Sequence, residues 1–232
     1  MSQSSATPLQ RPVGELRSPQ VLATALTVLL SLVPVLGLFS VTVDHHARQL
    51  MTQVVADPAT LERGDLDLVD ALQSLLLVGQ TFLGWVLVVV FILWFHRVRL
   101  NGQVFRPDGF SQSAGWAIGA WFVPFVNLVL PYRVARETWE ASAQNAPDGS
   151  FRPRSGAPVT AWWAVFVLSW VLRLFVGLRH PAGTDAELRD AFALRAVSDL
   201  TTGAAAVLAI VFVRKLTELQ RVKAFEGPNA AV

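Results

Sequence analysis

Residues 116–131 read WAIGAWFVPFVNLVLP, and whether this stretch crosses a bilayer decides the architecture of the whole chain. It is shorter than the ~20 apolar residues that a helix needs to cross a ~30 Å hydrocarbon core. Pro124 near its centre removes a backbone donor and breaks the helical ladder, Asn127 brings a polar amide to the same depth, and Pro131 closes the stretch. It reads as a re-entrant or half-depth Trp/Pro-rich hairpin that leaves on the side where it began. Irregular backbone at that depth has to be buried among other helices.

Working outward, four longer blocks nearly free of charge surround the hairpin, at about residues 20–43, 71–95, 159–178 and 192–213. With 53% apolar and only 16% charged residues, the chain has too little polar surface for a soluble fold. The expected fold is therefore all-α and integral to the membrane: four transmembrane helices, the hairpin at 116–131, and an interfacial amphipathic helix at 132–143. The distribution of Lys and Arg supports four spans. If the hairpin returns to its own side, two basic residues in the N-terminal tail, seven between Phe95 and Pro158 and four in the C-terminal tail share that side. Two in each opposite loop remain, a division of thirteen against four. A fifth span reduces this to ten against seven. Both termini are thus expected in the cytoplasm, with residues 1–19 a flexible tail, 20–219 the polytopic membrane domain and 220–232 a second tail.

Between the first two blocks, Asp44 to Asp70 reads as an acidic aqueous loop whose last part begins the second helix early. After the hairpin, Tyr132, Ala135 and Trp139 recur at helical spacing, with Arg133, Arg136, Glu137 and Glu140 on the remaining face. Arg133/Glu137 and Arg136/Glu140 stand four apart, in the weaker orientation for an ion pair. Gly115 and Gly119 have the small-xxx-small spacing of a close helix contact.

The run from Ser113 to Trp139 resembles the signature of a bacterial, actinobacterial-type multi-pass membrane family of unknown function. The family pattern is a Gly-Trp-Ala start, a Trp-Phe-x-Pro-x-x-Asn core, a Pro-Tyr exit and an Arg-Glu-x-Trp segment. It falls here on Gly115, Trp116, Ala117, Trp121, Phe122, Pro124, Asn127, Pro131, Tyr132, Arg136, Glu137 and Trp139. Ala114 and Ala120 depart from it, standing where Pro and another aromatic are common. The resemblance implies a membrane domain in a bacterial cytoplasmic membrane and imports no activity, cofactor or catalytic residue.

The densest unusual chemistry lies at Trp121, Pro124, Asn127, Pro131 and Tyr132. The simplest role for Asn127 is to satisfy backbone that the prolines leave unpaired. The alternative is a broken helix lining a small-molecule or ion site, with Gln80 and Arg173 as the other polar groups. Arg173 and Asp199 are expected to meet across the last helical hairpin as a pair that locks two helices, unless Arg173 snorkels outward. His45, His46 and His180 share one side but lack the spacing of a zinc site. No His or Lys lies within a span to activate a Ser nucleophile. There is no cysteine, no basic tract to hold nucleic acid and no nucleotide loop. The expectation is a non-enzymatic membrane protein without a cofactor, an interaction or scaffold subunit in the bilayer. Its partner would be another membrane protein or a second copy, and its surface Trp116, Trp139, Arg136 and Glu137. The alternative is a transport-like or ligand-binding protein. A closed bundle with every polar group bonded favours the first, and a pocket between Gln80, Asn127 and Arg173 favours the second.

Overall fold

The computed structural model describes residues 15–56, 63–146, 148–150, 152, 154–179, 185–225 and 227. In chain order the elements are α1 (Gln20–Ala56), α2 (Arg63–Phe105), α3 (Trp116–Gly119), a 3-10 turn (Val126–Leu128), α4 (Leu130–Ser142), α5 (Ala157–Leu178) and α6 (Asp185–Phe225). No strand occurs among the described residues. α1, α2, α5 and α6 are long and apolar enough to cross a membrane, the same four blocks that the apolar runs mark.

Three of these helices outrun their apolar blocks. α1, α2 and α6 have 37, 43 and 41 residues, which at ~1.5 Å per residue is roughly twice a ~30 Å core. The acidic stretch expected as a loop is therefore largely helical, up to Ala56 and again from Arg63. Its polar residues find partners on neighbouring helices: Asp44 accepts from Gln73 at 3.1 Å and pairs with Arg195 at 3.2 Å. Ala47, Leu50 and Val69 bury a small cluster beside them. At the other end α6 runs on through residues 220–225, where a tail is expected, because Gln220 and Lys223 are both bonded to other elements.

The four long helices alternate in direction. One end of the bundle gathers the start of α1, the end of α2, the start of α5 and the end of α6; it is called here the tail end, and its opposite the far end. α1 packs closely on α6 where Pro34 meets Gly203, since a Cβ on that glycine would lie 3.4 Å from the proline Cβ. Close approach through small residues is how helices gain contact in lipid. Gly115 and Gly119 do not play this part: a Cβ on Gly115 meets nothing within 4 Å, and one on Gly119 meets only the Trp116 ring.

Between α2 and α5 the chain makes an excursion that begins and ends near one residue. Gly102 on α2 is faced by Phe110 on the way in, and by Thr138 and Ala141 of α4 on the way back. In between, Trp121 sits edge-on to Phe91 and Phe95 of α2 at 5.5 and 6.1 Å. Pro124 ends the inward run. Phe125 turns the chain at φ 63°, ψ −38°, with the Val126 N–H donating to the Pro124 carbonyl at 2.8 Å. This is a γ-turn, strained for a residue with a side chain. The Asn127 backbone N–H then donates to the Val123 carbonyl at 3.0 Å, so backbone groups close the turn themselves. α4 follows with Pro131, Val134, Ala135, Thr138, Trp139, Ala141 and Ser142 buried. Its outer side carries Arg133–Glu137 and Arg136–Glu140 at 3.3 and 2.9 Å.

Candidate functional site

A cavity of about 430 Å³ opens between α1, α2, α5, α6 and the hairpin. That volume falls within the range of pockets that hold small ligands. Its floor is aromatic, formed by Phe91, Trp121, Trp162, Trp163 and Phe166. Trp121 meets Trp163 and Phe166 edge-on at 5.9 and 6.2 Å, the geometry that sets a positive ring edge against a negative ring face. The indole N–H of Trp121 is buried without a hydrogen-bond partner among the described residues. The side walls are aliphatic: Leu26, Leu30 and Val33 of α1, Leu83, Leu87 and Val88 of α2, and Ala205, Ala206 and Ala209 of α6.

Polar groups enter this lining at few points. Gln80, Asn127, Ser169, Arg173, Asp199 and Thr202 all border the cavity. The two hydroxyls are occupied, Ser169 donating to the Phe166 carbonyl at 2.7 Å and Thr202 to the Ser198 carbonyl at 2.8 Å. The Gln80 and Asn127 side-chain amides make no hydrogen bond among the described residues. The Asn127 side chain thus makes no hydrogen bond to the backbone of the break, where the Val126 and Asn127 N–H groups bond to the Pro124 and Val123 carbonyls, and Asn127 borders the cavity.

Arg173 and Asp199 both border the cavity but do not form an ion pair. Arg173 Nε donates to Thr202 Oγ1 at 3.3 Å, so the expected charge pair is replaced by a hydroxyl one turn along α6. Asp199 has neither a hydrogen bond nor an ion pair among the described residues. The ion pair that does tie helices together at this end is Arg195–Asp44.

The remaining expected residues lie elsewhere. Tyr132 shares a hydrogen bond with Thr160 at 3.0 Å and packs on Trp163, behind the floor. Pro124 stands at the exposed tip of the hairpin. Trp139, expected on an outward surface, is buried against Phe212 because α4 turns its apolar face inward. Glu137 accepts from Ser111, Arg136 fills the space over Gly156, and Trp116 is half-buried. Three of the four residues assigned to a partner surface are thereby engaged within the chain. His45 faces Gln49 at 3.1 Å, and His180 lies outside the described residues.

Sequence reasoning missed the aromatic floor and Thr202. Trp162 and Trp163 open the block at 159–178, and with Phe166 one turn later they form a continuous aromatic face, which was the available signal. It also missed a second polar cluster at the tail end. There Gln220 donates to the Val98 carbonyl at 2.8 Å and to Ser142 at 3.0 Å, and accepts from Asn101 at 3.0 Å. Lys223 donates to the Ala141 and Ala143 carbonyls at 2.9 and 2.7 Å, capping the end of α4.

A family model described as Domain of unknown function (DUF4328) matches residues 57–218, and the chain belongs to that family. The resemblance seen in residues 113–139 holds at that level, an uncharacterised family. No curated protein and no solved structure matches the chain. The matched segment supplies every wall of the cavity except the one from α1.

Proposed function

We propose that this DUF4328 protein is a non-enzymatic, four-span protein of a bacterial cytoplasmic membrane that binds a small, largely apolar ligand in the interhelical cavity. The observation that carries this reading is the convergence of Gln80, Asn127 and Arg173, from three separate segments, on one cavity in which both amides are unbonded. Both residues are part-buried at the cavity, where a ligand or bound water can take up their free hydrogen-bonding groups. In this reading both termini are cytoplasmic, the hairpin is re-entrant, and α4 lies along the cytoplasmic interface. The thirteen-to-four basic bias supports that orientation. A cysteine introduced at Ser150 should accordingly be protected from an impermeant thiol reagent in intact cells; labelling from outside would restore a fifth span.

The binding experiment fills the cavity without disturbing the bundle. A Cβ on Gly84 meets nothing within 4 Å, and helix propensity favours replacing that glycine. Gly84→Phe should melt at or above the wild-type temperature in detergent. Organic extracts of the wild-type protein should contain a stoichiometric small molecule by mass spectrometry, and extracts of the variant should lack it. Equal content in both, or none in either, counts against the reading.

A second reading, association with another membrane protein or a second copy, draws on the hairpin tip. Phe122, Phe125 and Val129 there are 67%, 86% and 65% exposed, next to the strained turn. Cross-linking from a cysteine at Phe125 that yields a discrete adduct in membranes would favour it, and acyl-chain adducts alone would not.

A further inference from the structure

The cavity is polarised along the bundle axis. On α5 the aromatic floor at Trp162 and the charge at Arg173 are eleven positions apart; on α2 the same interval separates Phe91 from Gln80, and on α6 ten positions separate Ala209 from Asp199. Each interval is about 15–17 Å of helix. All three helices place the polar member toward the far end and the apolar member toward the middle. A bilayer core of ~30 Å contains two chains tail to tail, so one leaflet's chain is ~15 Å long. The apolar length of the cavity matches that single chain.

The charges at its polar end are also selective. Asp44 and Arg195 pair with each other, and Arg173 and Asp199 attract each other across the cavity without an ion-pair contact, so the terminal guanidinium nitrogens of the one and the carboxylate of the other border the same cavity as a cation and an anion with no bonded counter-charge among the described residues. An uncharged head would leave both without a directly bonded counter-charge. We infer that the ligand is an amphiphile with a single hydrocarbon chain and a zwitterionic phosphate–ammonium head, drawn from the far-end leaflet. The chain lies in the aromatic trough, the phosphate meets Arg173 and the ammonium meets Asp199. This rests on the binding reading above and adds the ligand class. Charge-assisted bonds to a guanidinium and a carboxylate are the strongest available for such a head.

The test is native mass spectrometry of the whole protein released from non-ionic detergent, titrated with four probes. These are lysophosphatidylethanolamine, lysophosphatidic acid, a monoacylglycerol of the same chain, and glycerophosphoethanolamine without a chain. Lysophosphatidylethanolamine should bind about tenfold or more tightly than the monoacylglycerol, and than the chainless head. Arg173→Gln should weaken both phosphate-bearing lipids by about tenfold while leaving the monoacylglycerol unchanged. Asp199→Asn should erase the preference for lysophosphatidylethanolamine over lysophosphatidic acid. Arg173→Lys should retain partial binding, which separates loss of charge from loss of fold.

Monoacylglycerol binding as tightly as the zwitterion, with no response to Arg173→Gln, overturns the head assignment and leaves the cavity reading intact. Equal binding of the chainless head overturns the chain assignment, because the site would then take a free zwitterion. Failure of every probe, together with unchanged extracts from Gly84→Phe, overturns the cavity reading itself.

Discussion

The tail end and the far end of the same four-helix bundle solve the problem of polar groups in an apolar setting in opposite ways. At the tail end Gln220, 2% exposed, links α6 to α2 and α4 through three hydrogen bonds. Trp94 donates to Thr217 at 3.2 Å, and Phe212 stacks on Trp162 at 4.6 Å with Trp94 edge-on at 5.6 Å. Around the cavity the side chains of Gln80 and Asp199, toward the far end, and of Asn127, on the hairpin, border an open volume and make no hydrogen bond among the described residues. A polar group that is bonded and buried specifies the packing around it; one left unbonded at a cavity is available to something else. The first region holds the helices in register, and the second is where a ligand has room.

The sharpest way to break this contrast is to truncate Phe212, which is fully buried and touches Trp94, Trp139 and Trp162. Phe212→Ala should lower stability by about 3–5 kcal/mol, through lost burial and the void left behind. Thermal melting in detergent measures this, and a loss no greater than that of cavity-lining variants would erase the distinction between the two ends. Next in size is Gln220→Leu. It removes three buried hydrogen bonds, to Asn101, the Val98 carbonyl and Ser142, while Asn101 keeps its bonds to Arg17, so about 1–3 kcal/mol should be lost. A neutral result would mean that water reaches the tail-end cluster.

The smallest stability effect is expected at the hairpin. Asn127→Leu removes an amide that bonds to no described residue, so the melting temperature should stay within the range of an ordinary surface change, about 0.5 kcal/mol, while extracts lose the bound molecule. A marked fall in stability with binding retained would return Asn127 to a structural role and sharpen the case for an interaction subunit.

How far these features are legible in the sequence differs from residue to residue. The inward Pro-broken stretch is readable because Pro124 lacks a donor wherever it sits. The capacity of Asn127 to serve either backbone or cavity is equally readable, but the choice between them is not. It turned on whether Phe125 could adopt a γ-turn and let the Val126 and Asn127 backbone N–H groups close the break. Trp139 at helical spacing with Tyr132 gives the right helix, yet spacing does not say which side of that helix meets protein. The acidic composition of residues 44–70 points away from helix, and it was overridden by Gln73 and Arg195 arriving from two other helices.

By itself the sequence determined the count and position of the four long apolar helices and the short block that falls between them. Those follow from run length set against bilayer thickness, a comparison that needs no partner. Only the tertiary structure decided that Gln80, Asn127, Arg173 and Asp199 share one cavity, that Arg173 turns to Thr202 instead of Asp199, and that the aromatic face of α5 becomes a floor. Each of these depends on how far a helix is rotated about its axis and how widely it stands from its neighbours. In lipid both quantities are set by packing among helices, through contacts such as Pro34 on Gly203 and Trp162 on Phe212.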